Sequence, residues 1–162
     1  MKLFYSPGAC SLSPHIVLHE LGLPHDVVKV DLKTKQTSDG RDFHTINPKG
    51  YVPTLQLDDG TILTEGPAIV QYLADRKPEM HLAPVNGTLA RYQLQEWLNF
   101  ISTELHKQFS PLFNPASSAD LIAAQKAKLA ERFALIAQTL DQHDYLLPSG
   151  FSVADAYLYT IL

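Results

Sequence analysis

Residues 77–88, KPEMHLAPVNGT, hold two prolines and a glycine without any periodicity, and the hydrophobic pattern changes across them. Upstream, short apolar runs of period two alternate with helical segments. Downstream, only the helical period remains. A chain that changes period in this way must build a mixed α/β layer first and an all-helical layer second, because each apolar face needs a neighbour of matching geometry. The pattern predicts an α/β domain over 1–76, a linker over 77–88 and a helical domain over 89–162.

In the first part, Leu3, Phe4 and Tyr5 form a short apolar strand that ends at Ser6-Pro7-Gly8. A helix follows, with Val17, Leu18 and Leu21 on one face, His15, His19 and Glu20 on the other, and Gly22 as its stop. Val28, Val30 and Leu32 then alternate with Lys29, Asp31 and Lys33, the signature of a strand with one solvated face. Strand, helix and strand with so long a crossover make a parallel βαβ unit. After a polar stretch over 34–43, YVPTLQL and TILT flank the turn Asp58-Asp59-Gly60 as an antiparallel hairpin. A further helix starts near Glu65-Gly66-Pro67 and turns Ile69, Val70, Tyr72 and Leu73 inward.

In the second part, Leu94, Leu98, Ile101 and Leu105 mark one helix over 89–110, and Leu129, Phe133, Ile136 and Leu140 mark another over 119–141. Ser152 as N-cap with Asp155 three residues on is a capping box that opens a last helix. Its residues AYLYTIL are nearly all apolar and reach no C-cap, which predicts a central, buried helix in a chain that continues beyond it.

The chain is 45% hydrophobic and 19% charged, an ordinary globular composition. Its formal charge of −4 lacks the basic footprint that nucleic acid or an anionic membrane surface requires. No apolar run approaches the roughly 18 residues of a membrane span, and MKLFYSPG lacks the apolar core of a secretory signal. A cytoplasmic protein is expected, since a free thiol persists best in a reducing compartment.

The single cysteine, Cys10, lies in SPGACSLSP, between a strand end and a helix start. Pro14 fits only the first helical turn, so Cys10 falls at the helix N-terminus, where unpaired N–H groups and the macrodipole stabilise an anion. That position predicts a reactive thiol of lowered pKa; the alternative is a small packing residue. SPGACS lacks the glycine spacing of a phosphate-binding loop. Val52-Pro53 reads either as an edge strand or as a cis bond that leaves the backbone of Val52 free to bridge an extended peptide. Thr64-Glu65-Gly66-Pro67 places N–H donors for a carboxylate beside a side chain that can hold an ammonium. Asn99, Ser102, Thr103 and His106 share one helix face, which is either a solvated stripe or the second wall of a cleft. His15 and His19 are one turn apart on a helix that offers no carboxylate partner, so no metal site is expected.

Taken together, MKLFYSPGACSLSPHI, NPKGYVPTL, LTEGPAIVQYLAD, EWLNFISTELHK and FSVADAYL resemble the bacterial beta-class glutathione S-transferases over nearly the whole chain. The resemblance implies a thioredoxin-like first domain of order β-α-β-α-β-β-α, an all-helical second domain, a homodimer, and transfer of glutathione to small hydrophobic electrophiles. Glutathione would be the co-substrate, with no metal. The resemblance also implies that Cys10 contacts the glutathione sulfur, with Tyr5 and Ser11 nearby. Val52 before cis-Pro53 would bridge the cysteinyl backbone, Glu65-Gly66 would hold the γ-glutamyl end and Lys35 the glycine carboxylate. Asn99, Thr103, Glu104, Leu105 and His106 would line the site, with His106 assisting the sulfur and Asn99 reaching across the dimer. Gly66 stands where many other classes carry serine, so only its backbone N–H would remain to bind. The family also continues for roughly a further helix pair after SVADAYL. Two other readings of the same residues are glutaredoxin-like thiol exchange through Cys10 and a non-catalytic binding protein of this fold.

Overall fold

In the computed structural model, which describes residues 1–162, Leu3 and Phe4 are both fully buried on opposite faces of one strand. That strand, β1 (Lys2–Tyr5), runs parallel to β2 (Asp26–Lys29) and antiparallel to β3 (Thr54–Gln56), which pairs antiparallel with β4 (Ile62–Thr64). The sheet order is β2-β1-β3-β4, the thioredoxin-like arrangement. Because side chains alternate along a strand, Leu3 and Leu55 meet the main core while Phe4 and Val28 join Val30, Phe43 and Val52 in a second cluster. Phe4 and Phe43 pack there with ring centroids 5.7 Å apart.

Two local expectations change in this layer. The strand over Val28–Leu32 stops at Lys29, because the Asp31 carboxylate accepts the N–H groups of Lys33 and Thr34 and turns the chain, leaving Leu32 exposed. The helix that the resemblance implies between β2 and β3 is a single 3-10 turn, Phe43–Thr45, capped by the Asp42 carboxylate. Only Phe43 of that turn is buried, so no apolar stripe exists to dock a longer helix.

Helix α1 (Leu12–Glu20) covers the sheet with Val17, Leu18 and Leu21 buried. It ends in a Schellman motif in which Gly22 N–H donates to His19 and Leu23 N–H to Leu18. Gly22 has φ +57°, the left-handed conformation that this closure needs. Helix α2 (Gly66–Asp75) has Pro67 in its first turn and buries Ile69, Val70 and Leu73, with Tyr72 half-buried. The segment after α2 is tied down: Lys77 Nζ donates to the Leu21 carbonyl at 2.7 Å, and Leu82 accepts from Val153 N–H at 2.9 Å.

The single helix expected over 89–110 is broken. Helix α3 (Leu89–Phe100) passes into a π-helical turn, Ile101–Leu105, then a 3-10 turn, His106–Phe109, and a short α4 (Ser110–Phe113). Pro111 has no N–H to give the Lys107 carbonyl, so regular bonding ends ahead of it. Helix α5 (Ala119–Leu140) buries Leu129 and Ile136. Helix α6 (Val153–Ile161) carries both halves of the expected capping box and buries Val153, Ala154, Ala156, Tyr157 and Leu158. One continuous core joins Leu3, Val17, Leu55 and Ile69 to Leu94, Ile101, Leu129 and Tyr157. No helix is long and apolar enough to cross a membrane.

Candidate active site

A cavity of about 400 Å³ opens where the sheet and α2 meet the π turn. Cys10, Val52, Pro53, Glu65 and Gly66 form one wall; Ser102, His106, Lys107 and Tyr157 form the other. Six of the residues expected at the site therefore converge: Cys10, Val52, Pro53, Glu65, Gly66 and His106.

Cys10 is half-buried one residue before the N-cap Ser11, and its thiol donates to the Val52 carbonyl at 3.2 Å. Burial pushes its pKa up, with its own backbone N–H opposing and the charge of Glu65 adding to the rise. This corrects the expectation of a lowered pKa. The free protein holds a thiol here, because removing the sulfur from water costs more than the helix terminus returns.

The Val52-Pro53 bond is cis, and Val52 lies just outside β3 with its N–H unbonded within the chain. Glu65 precedes α2 at φ +70°, an uncommon conformation for a side chain of its size. Its carboxylate is 69% exposed and pairs with Lys49 Nζ at 2.7 Å, while the same ammonium donates to Thr64 Oγ1 at 3.1 Å.

On the other wall, His106 Nδ1 lies 2.8 Å from the Tyr157 hydroxyl, and the two rings meet edge on at 83°. Tyr157 is 3% exposed, and burial pushes its pKa up to about 12, the Ser102 hydroxyl opposing and the charges of Cys10 and Glu65 adding. Burial, with a smaller contribution from Lys107, holds His106 below its ordinary value. The phenol can donate to Nδ1, which leaves the imidazole proton on Nε2, or accept from Nδ1–H, which leaves Nε2 an acceptor. Tyr157 was not among the expected residues. Its signal was a tyrosine within an apolar helix, where a buried hydroxyl needs a partner.

The other expected residues lie elsewhere. Ser11 is buried and locks the β1–α1 turn, donating to the Ser6 carbonyl at 3.2 Å and accepting from Ser6 N–H at 3.1 Å. Tyr5 packs on the main core with its ring 6.2 Å from His15. Lys35 donates to the Gly50 carbonyl at 2.8 Å, beside the cavity residue Tyr51. Leu105 is fully buried in the core, and Glu104 accepts from Arg132 of α5 at 3.0 Å. Asn99 and Thr103 are exposed and bond to each other, the Thr103 hydroxyl donating to the Asn99 carbonyl. The π turn explains the division: it breaks the regular spacing on which one shared face was counted, leaving Ser102 and His106 on the cavity. Asn47, Lys49 and Tyr51 also line the cavity without having been singled out, since scattered polar loop residues carry no periodic signal, and Thr64 lines it beside Glu65 as the end of β4.

Residues 8–76 match the glutathione S-transferase N-terminal domain family model, and residues 100–162 match the C-terminal one. The chain belongs to the glutathione S-transferase family. Glutathione S-transferase GstA of Escherichia coli O157:H7 is 49% identical over the whole chain, which spans 81% of that protein. Among solved structures, the ternary complex of BphK, a bacterial transferase, has TM-score 0.97 at 59% identity over 99% of this chain and 80% of its own. A sphingomonad glutathione S-transferase complexed with glutathione has TM-score 0.96 at 49% identity, again over 99% of this chain and 80% of that one. The beta-class enzyme of Sphingomonas chungbukensis aligns at TM-score 0.95 and 49% identity over the same shares. This transferase conjugates glutathione, its co-substrate, and a bacterial beta-class enzyme is among the structures it resembles.

Proposed function

We propose that the cavity binds glutathione across both walls and presents its sulfur to a small hydrophobic electrophile. The observation that carries this reading is the convergence of an unbonded Val52 N–H, the Glu65 carboxylate and the His106–Tyr157 pair around one thiol. Val52 pairs with the cysteinyl backbone in β-bridge fashion. Glu65 exchanges Lys49 for the ligand's ammonium, and the N–H groups that open α2 at Gly66 receive the γ-glutamyl carboxylate. Lys49, released, and Lys35 face the glycine carboxylate. The glutathione sulfur is the nucleophile, with the Cys10 thiol and His106 Nε2–H as donors to the developing thiolate. Tyr157 fixes the His106 tautomer and so acts as a positioning residue. Holding nucleophile and electrophile in one cleft supplies the rest of the rate gain.

This division of labour favours conjugation over thiol exchange, because a half-buried, protonated Cys10 is a poor attacking group. In the same reading the enzyme is a cytoplasmic homodimer. The exposed Asn99 reaches the ligand bound by the second copy. The direct test is Glu65→Gln, which preserves shape and removes charge. Calorimetric titration is expected to show glutathione binding weakened by roughly 10- to 100-fold, about 1.4 to 2.8 kcal/mol. Unchanged affinity would remove Glu65 from the site.

A further inference from the structure

Away from the cavity, three histidines converge where α1 hands the chain to β2. His15 and His19 lie one turn apart on α1, His25 immediately precedes β2, and one ring nitrogen from each falls within 4.8 Å of the others. Sequence spacing pairs only the first two. His25 joins them because the Schellman closure at Gly22 reverses the chain and Leu23-Pro24 carries it back along the helix.

The separations suit a metal. Nε2 of His15 and Nε2 of His19 are 3.1 Å apart. Two nitrogens bound at 2.0–2.1 Å to one tetrahedral ion would stand about 3.3 Å apart. His25 Nδ1 is 2.8 Å from the Leu23 carbonyl, which can only accept, so Nδ1 carries the proton and Nε2 offers a lone pair. An outer bond of this kind, from the non-ligating nitrogen to a backbone carbonyl, is what orients ligating imidazoles. The His25 ring meets those of His15 and His19 nearly edge on, at 86° and 83°. None of the ion pairs in the chain includes a histidine, so no carboxylate holds the cluster in its charged form.

We propose that His15, His19 and His25 bind one divalent first-row transition ion of the zinc type, with a fourth position left to water. An all-imidazole donor set selects zinc, copper or nickel over magnesium or calcium, which prefer oxygen. His19 is exposed and the other two are half-buried, so an ion can reach the site from solvent. The ion clamps the C-terminal end of α1 to the start of β2, while the opposite end of the same helix carries Cys10. It stands apart from the conjugation chemistry, in which glutathione supplies the sulfur.

The test is calorimetric titration of tag-free protein with zinc chloride in the absence of glutathione, paired with thermal melts. One ion per chain is expected, with a rise in melting temperature because the site exists only in the folded state. Magnesium is expected to leave the melt unchanged. His19→Gln and His25→Gln should each weaken zinc binding by tenfold or more while melting like the parent in chelator. Cys10→Ala should keep the one-ion stoichiometry, which separates this site from a thiol adduct. Absence of one-to-one binding, or equal affinity in His25→Gln, would overturn the proposal.

Discussion

Cys10 stands where two opposite effects meet: the N-terminal end of α1 favours an anion, and partial burial disfavours one. Burial wins, and the thiol spends its proton on the carbonyl of Val52, whose N–H is unbonded within the chain. A raised folded pKa means that the neutral form persists through physiological pH. Alkylation of Cys10 by iodoacetamide is accordingly expected to be slower at pH 7.5 than that of a free cysteine, and to climb at a higher pH than the free cysteine does. A half-maximal rate near pH 7 would restore the activated thiolate. Conjugation does not need that thiolate, because the nucleophile arrives with the ligand.

Among the elements, α6 does the least obvious work. It is a core helix that also delivers Tyr157 to the cavity, so the packing of one face sets the chemistry of the other wall. Its position depends on Asp155, whose carboxylate accepts from Ser152 N–H and from the Ser152 hydroxyl, and reaches back to Leu146 N–H. Removing it strands two backbone donors in a half-buried corner. Asp155→Ala is expected to cost about 2 to 3 kcal/mol in chemical denaturation and to lower conjugation through a displaced Tyr157. A loss below about 0.5 kcal/mol would show that the cap is dispensable. The π turn matters in the same way, since it aims Ser102 and His106 at the cavity while Ile101 and Leu105 stay fully buried.

Across the whole molecule, the two halves are joined by Arg91 of α3, 3% exposed, and Asp75 at the end of α2. The guanidinium donates through Nη1 and Nη2 to the two carboxylate oxygens at 2.8 and 2.7 Å, and further to the Pro84 carbonyl at 2.9 Å. The Arg91 hydrogen bonds hold the Asp75 carboxyl below the usual carboxylate range. A folded pKa lower than the unfolded one contributes stability that is fully present above the unfolded value and is lost as pH falls through the folded value. The parent should therefore lose stability below about pH 4 more steeply than Asp75→Asn. At pH 7 that substitution is expected to cost about 1 to 2 kcal/mol, discounted because the Asp75 side chain is 40% exposed. Parallel melting curves between pH 3 and pH 7 would contradict the linkage.

The sequence by itself determined the change from mixed to helical architecture, the hairpin, the capping box of α6 and most of the first wall of the cavity. Those features rest on local grammar: period, turn chemistry and caps are written in neighbouring residues. Cys10, Val52, Pro53, Glu65 and Gly66 were legible because each sits at a boundary between elements, where residue choice is constrained. Only the tertiary structure decided that Leu105 belongs to the core, that Tyr157 belongs to the site and that His25 joins His15 and His19. Each depends on which way a side chain points after the chain has been carried past another element, through the π turn for Leu105 and through the closure at Gly22 for His25. The pKa of Cys10 was undecidable from sequence for the same reason: the helix terminus is a local fact, whereas the burial of the sulfur, its hydrogen bond to the Val52 carbonyl and the charge of Glu65 come from distant positions.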